Sequence, residues 1–208
     1  MPVSKICYNQ PGSDISNSHS LENNPPFTLS STQNKFASVG CDTLGIIQFQ
    51  NNLKNGGCVT LCDLPPPGDL NDKTCSGTGC CQVDIPVGMR NLTVLASAVF
   101  NHSNVPAFNN CSCAFVAKQS WFNFSVDYLH DFPFDVVPLV LDWTVLDDTC
   151  QVAFITPDYA CTSSTKCIDS TDGFGCNYKC KPGFDGNPSH SYGCHEMKCR
   201  LGRMPGIY

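Results

Sequence analysis

The chain has 208 residues, 16 of them cysteine, with 14% charged residues and a formal net charge of −6. That length suits one domain plus a small module, and so many cysteines mark a disulfide-stapled, loop-rich protein matured in an oxidising compartment. The negative charge excludes a nucleic-acid partner and offers no broad basic face to an anionic polysaccharide, which would need local cationic points or bridging calcium.

Charge is unevenly divided, residues 1–160 carrying −8 and residues 161–208 carrying +2. Met1-Pro-Val-Ser-Lys-Ile6 lacks the basic segment and apolar run of a secretory leader. The longest apolar run of membrane type, Val136 to Leu141, is six residues, against about 20 needed to span. No transmembrane segment is therefore expected within these residues. A cysteine-rich chain without a leader is read as a fragment of a longer, extracellular ectodomain.

Ile6-Cys7-Tyr8-Asn9 reads as a strand end, and residues 8–24 as a polar loop. Cys7 has no near neighbour, so its partner is distant or lies in sequence upstream. From Phe27 the texture becomes that of strands: Phe27–Ser30, Lys35–Val39 and Ile46–Gln50 are short apolar or alternating runs. Asn34-Lys35 and Gly40–Gly45 are read as the turns between them. Cys58, Cys62, Cys75, Cys80 and Cys81 form a cluster around an exposed loop, Leu64-Pro-Pro-Pro-Gly-Asp69. Adjacent residues of an extended chain face opposite ways, so Cys80 and Cys81 are expected to take different partners. The clearest later strands are Val83–Pro86, Leu92–Phe100, Cys111–Ala117, Trp121–Val126 and Leu139–Val145. Nothing keeps a helical period over ten residues, so the fold class is mostly β: a disulfide-rich β domain with a small module behind it.

That module is Cys150 to Cys194, six cysteines in 45 mostly polar residues. So short and polar a segment cannot fold on burial alone and needs staples. Disulfides and zinc are the two readings. Zinc ligands usually come in close pairs, and only Cys176 and Cys180 are that near.

Tyr159-Ala-Cys161 and Pro182-Gly-Phe-Asp-Gly-Asn-Pro188, with this cysteine spacing, resemble an EGF-like module. The resemblance implies bridges Cys150–Cys167, Cys161–Cys176 and Cys180–Cys194. One departure is that Cys176 and Cys180 flank three residues where the module normally has one, so its two-stranded core is bulged or paired differently. Upstream, LSSTQNKFASVGCDT (29–43), CSGTGCCQVDIP (75–86), CSCAFVAKQSWFNFS (111–125) and VPLVLDWTV (137–145) resemble the extracellular region of plant wall-associated receptor kinases. The resemblance implies a galacturonan-binding, wall-associated β domain over 1–148, lacking its first part, then an EGF-like domain over 149–194 and a stub of a second repeat over 195–208. The oxidising compartment makes disulfides the expectation at Cys41, Cys58, Cys62, Cys75, Cys80, Cys81 and Cys111, with zinc the weaker reading of the 58–81 cluster. Cys113 stands where the resembled family usually has another residue and is expected to be an orphan thiol. His195-Glu-Met-Lys-Cys199 replaces the acidic run of a calcium-binding repeat. Calcium prefers several oxygen ligands, so neither it nor any other cofactor is assigned.

No kinase glycine-rich loop, catalytic loop or metal-binding DFG occurs, and no enzyme activity is expected. Asp147 and Asp148 point apart on a strand, Asp131 and Asp135 flank a loop, and the histidines sit in polar segments or near chain ends. Sequons begin at Asn91, Asn101, Asn110 and Asn123; Asn91, Asn101 and Asn123 are taken as glycosylation sites, Cys111 making Asn110 the weakest. Trp121, Phe122, Phe124, Phe132, Phe134 and Trp143 either fill the core or stack on sugar; Trp121 and Phe132 are expected to be exposed. Three functional readings follow: an extracellular region binding pectic cell-wall polysaccharide, as the resemblance implies; an ectodomain docking a protein co-receptor or peptide; or a truncated product without function.

Overall fold

Cys111–Lys118 reads CSCAFVAK, apolar at nearly every position, the pattern of a strand covered on both faces. The computed structural model describes residues 1–8, 17–24, 26–49, 55–62, 74–102, 105, 107–156, 162–171, 174–188, 190 and 192–197. In it Ser112 to Ala117 are all buried. Cys161, Cys199 and the Leu64–Asp69 loop lie outside the described residues.

The chain divides into two compact units, Met1–Trp143 and Thr144–Tyr208. The first contains β1 (Ser4–Cys7), β2 (His19–Glu22), β3 (Phe27–Leu29), β4 (Asn34–Val39), β5 (Asp42–Phe49), β6 (Asn55–Leu61), β7 (Cys80–Asp84), β8 (Asn91–Ser97), β9 (Cys111–Lys118) and β10 (Leu141–Trp143). They pair as two four-stranded antiparallel sheets, β1-β9-β4-β7 and β2-β8-β5-β6, and a β3-β10 ribbon.

Strand alternation sorts the side chains. Ala114 and Val116 of β9 join Phe36 of β4 in the layer between the sheets, against Ile47, Cys58, Leu92 and Val94. Cys113, Phe115 and Ala117 point the other way, into a second apolar layer closed by Phe122, Phe124, Leu129, Phe132 and Val137. Phe115 meets Phe122 edge-on at 5.1 Å and stacks with Phe132 at 5.2 Å. The first sheet is thus roofed by the segment that follows its central strand.

This roof corrects one expectation. Trp121–Val126 is not a strand; it runs irregularly into a 3-10 turn, Val126–Leu129, capped by Ser125. Its alternating aromatics plug the sheet face instead of extending the sheet. Nor do Asn34 and Lys35 make a turn, for they open β4. Buried Asn34 donates from Nδ2 to the carbonyls of Ser30 at 2.8 Å and Val140 at 2.7 Å, and accepts from Val140 N–H at 2.9 Å. Its turn-like bonding is done by the side chain from within a strand. Within the polar segment 8–24, His19–Glu22 forms edge strand β2, held by backbone pairing to β8 and by Ser20 Oγ to Thr93 Oγ1 at 2.8 Å.

Six disulfides lie among the described residues. Cys7–Cys111 joins directly opposed residues of β1 and β9 across 104 positions, a loop whose closure removes about 4.7 kcal/mol of unfolded-chain entropy. Cys58–Cys81 ties β6 to β7, the edge strands of the two sheets. Cys41–Cys62 and Cys75–Cys80 close shorter loops, so the adjacent Cys80 and Cys81 have separate partners.

The second unit holds a one-turn helix α1 (Cys150–Ala153) and two ribbons, β11 (Thr165–Asp169) with β12 (Cys176–Cys180) and β13 (Phe184–Gly186) with β14 (Cys194–Glu196). Cys150–Cys167 and Cys180–Cys194 bridge it. Residues ahead of the first cysteine pack with it, Val145 and Leu146 N–H both donating to Cys176 O. The β11-β12 register runs one to one from Thr165↔Cys180 to Asp169↔Cys176, without a bulge. Three intervening residues keep Cys176 and Cys180 on one strand face just as one would, since the pleat repeats every two. Gly175, at φ +74°, closes this turn; a Cβ there would strike Leu146 O.

Two outcomes are expected. Gly45 of β5 lies where the sheets approach closely, and a Cβ would overlap Ser38 Oγ and come within 2.9 Å of the Phe36 ring. Gly45→Ala is therefore expected to lower unfolding stability by about 2 kcal/mol in denaturant titration. Cys113 is a free thiol, 1% exposed, and burial pushes its pKa up to about 12. Since the thiolate is the reactive form, peptide mapping after maleimide treatment at pH 8 should find Cys113 unlabelled in native protein and labelled in denaturant.

Candidate functional site

Few of the chemically capable side chains converge. The buried carboxylate of Asp42 accepts backbone N–H bonds from Val99, Phe100 and His102 and so anchors a loop. His102 stacks on Tyr8 at 3.7 Å, His130 on Phe108 at 4.5 Å and His190 on Tyr192 at 5.3 Å. Asp131, Asp135, Asp147 and Asp148 are exposed. Among the described residues one group has metal-ligand character, Cys150, Cys167 and Cys176, and two of those sulfurs are bonded to each other.

The surface offers more to a bound sugar. After β9 the chain turns through Lys118-Gln119-Ser120-Trp121, all exposed, with Trp121 N–H donating to Lys118 O at 3.0 Å. The turn is fixed at its base by Lys118 N–H to Pro138 O and Gln119 N–H to Gln33 O, each 2.8 Å. Trp121 is 36% exposed and leans edge-on against half-buried Phe134 at 4.9 Å. The same exposed turn carries the indole, an ammonium, an amide and a hydroxyl within four successive residues. The single described ion pair is Lys35–Asp84, so Lys118 keeps its charge uncompensated by any salt bridge among the described residues.

Of the aromatics singled out in the sequence, Phe122 and Phe124 are buried in the roof. Phe132 corrects an expectation: it is 3% exposed, not open to solvent, because it stacks on Phe115 and meets Tyr128 and Phe134 edge-on. Trp143 is exposed on β10 opposite Phe27 of β3, 44% and 45% respectively. Sequence reading passed over Phe27 and the exposed Phe100; the signal for both was an aromatic beside turn residues, Pro26 and Asn101. Among the sequon asparagines, Asn101, Asn110 and Asn123 are exposed, while half-buried Asn91 accepts Asn23 N–H at 2.9 Å.

In the second unit Lys166 and Lys179 face each other across β11 and β12, both exposed. Like charges so placed weaken a ribbon, and an anion between them would relieve the repulsion. On the same unit Thr162, Thr165, Tyr178, His190, Tyr192 and Cys194 help to line an open groove of about 540 Å³, and none of the described residues in its wall is Lys, Arg, Asp or Glu.

No protein-family model and no solved structure matches the chain. Curated proteins do. It is 36% identical over 203 residues to wall-associated receptor kinase 5 and 34% identical over 202 residues to wall-associated receptor kinase 2, both of Arabidopsis thaliana. Those matches take in 95% and 93% of this chain but only 27% and 26% of the relatives, so the chain spans about a quarter of their length. Its 208 residues carry none of the kinase catalytic motifs. Over the portion that it matches, this chain is a homologue of the wall-associated receptor kinases.

Proposed function

We propose that the chain is the polysaccharide-contacting extracellular portion of a wall-associated receptor-like protein, with pectic galacturonan as its ligand. Similarity to wall-associated receptor kinases along 95% of the chain carries this reading. The disulfides agree with it, since they form outside the cytosol. The first unit is the galacturonan-contacting domain, and the second an EGF-like module.

Chemistry at the Trp121 turn suits such a ligand. A galacturonate ring stacks its C–H face on the indole, its hydroxyls meet Gln119 and Ser120, and its carboxylate meets Lys118. The net charge of −6 opposes a polyanion overall, so contact is local and screened by salt. A protein or peptide partner is the second reading, favoured by the groove of the second unit, whose described lining has no Lys, Arg, Asp or Glu.

Oxidised protein titrated calorimetrically with oligogalacturonides, with and without calcium, is expected to bind saturably. Trp121→Ala is expected to weaken binding about tenfold, and Lys118→Ala to flatten its salt dependence. Absence of saturable binding under both conditions would rule out the pectin reading. Equal affinity in Trp121→Ala would move the contact elsewhere.

A further inference from the structure

We infer that Asn101 is an N-glycosylation site whose first N-acetylglucosamine rests on the ring of Phe100. The inference rests on the extracellular reading and is independent of pectin binding. Asn101 and His102 are the non-glycine residues with positive φ among those described, 54° and 57°. Two such values in succession are the sign pattern of a type I′ turn, which asparagine enters readily and histidine less so. Something must hold them there. The carboxylate of Asp42, 1% exposed, does so: it accepts Val99 N–H at 2.9 Å, Phe100 N–H at 2.9 Å and His102 N–H at 2.7 Å. The His102 ring is clamped on Tyr8.

This fixed turn presents Phe100, 59% exposed, immediately before exposed Asn101. Asn101-His102-Ser103 is an acceptor triplet. Transfer forms a bond from Asn101 Nδ2 to the sugar C1. It breaks the C1–O bond to a lipid-pyrophosphate-linked oligosaccharide donor, and the amide proton is lost to base. The sugar then sits one residue from a ring already held in solvent. A pyranose has a C–H-rich face, and laying it on the phenyl ring removes apolar surface from water on both sides. No other sequon offers this. Asn91 spends its carbonyl on Asn23, Asn110 precedes a bridged cysteine, and Asn123 stands between two aromatics already buried in the roof.

The test expresses the whole chain behind a cleavable leader in a secreting eukaryotic host and reads site occupancy by glycopeptide mass spectrometry. Ser103→Ala removes this glycan alone, and the same variant from a bacterial host controls for the substitution itself. Asn101 is expected to be occupied, and loss of its glycan to lower Tm by about 2 °C or more. That loss is expected to shrink by at least half in Phe100→Ala and to persist in Phe100→Tyr, which keeps the ring. An unmodified Asn101, or a Tm loss equal with and without the ring, would overturn the inference. Neither result would bear on oligogalacturonide titration.

Discussion

Strand β9 must be kept from water on both sides, and most of the first unit is arranged to do so. Its inward side chains are met by the second sheet, and its outward ones by the aromatic roof that follows it in sequence. Burying a sheet twice is unusual for an antiparallel architecture, where one face commonly stays solvated; here the second sheet behaves in that ordinary way, alternating buried and half-exposed along β8. Both covers need fixing. Cys58–Cys81 clasps the two sheets at one edge. Buried Asn109 fixes the roof, its Nδ2 donating to Leu129 O at 2.6 Å while its Oδ1 accepts Cys41 N–H at 2.7 Å.

Much of this was legible in the sequence where burial writes a simple period. β5, β8 and β9 alternate or run apolar, and their existence followed from that, although Asp42–Gly45, read as part of a turn, is the first half of β5. β2 was not legible, because an edge strand of polar residues gains its stability from backbone bonds to a neighbour distant in sequence. The roof was misread for a sharper reason: side chains plugged into a sheet from outside can repeat every two residues as a strand does. Phe132, set between Asp131 and Pro133, carried the local signature of a loop tip, and only the position of Phe115 beneath it explains its burial. Disulfide partners in the first unit were equally out of reach, since Cys7 and Cys111 meet through strand pairing, not spacing. At the candidate site, Trp121 could be picked out, whereas its pairing with Phe134 and the neighbouring Lys118 depended on where β9 ends.

A scaffold of this kind leaves its surface free to vary. Charged residues are sparse, and on the proposed reading the cationic points open to a polyanion are few: Lys118, three residues from Trp121, on the first unit, and Lys166 opposite Lys179 on the second. Rigid turns held by buried polar groups, such as Asp42 beneath residues 99–102, present side chains at little entropic cost on binding. The chain spans about a quarter of the length of its curated relatives.

Native-state hydrogen exchange along the first unit tests the doubly covered sheet most directly. If β9 is sealed on both faces, the amides of Cys113 to Ala117 that bond to β4 exchange only through global unfolding and are the slowest in the chain. Edge strand β6 exchanges by local opening, orders of magnitude sooner. Exchange at β9 as rapid as at β6, under conditions where the protein remains folded and oxidised, would contradict the account.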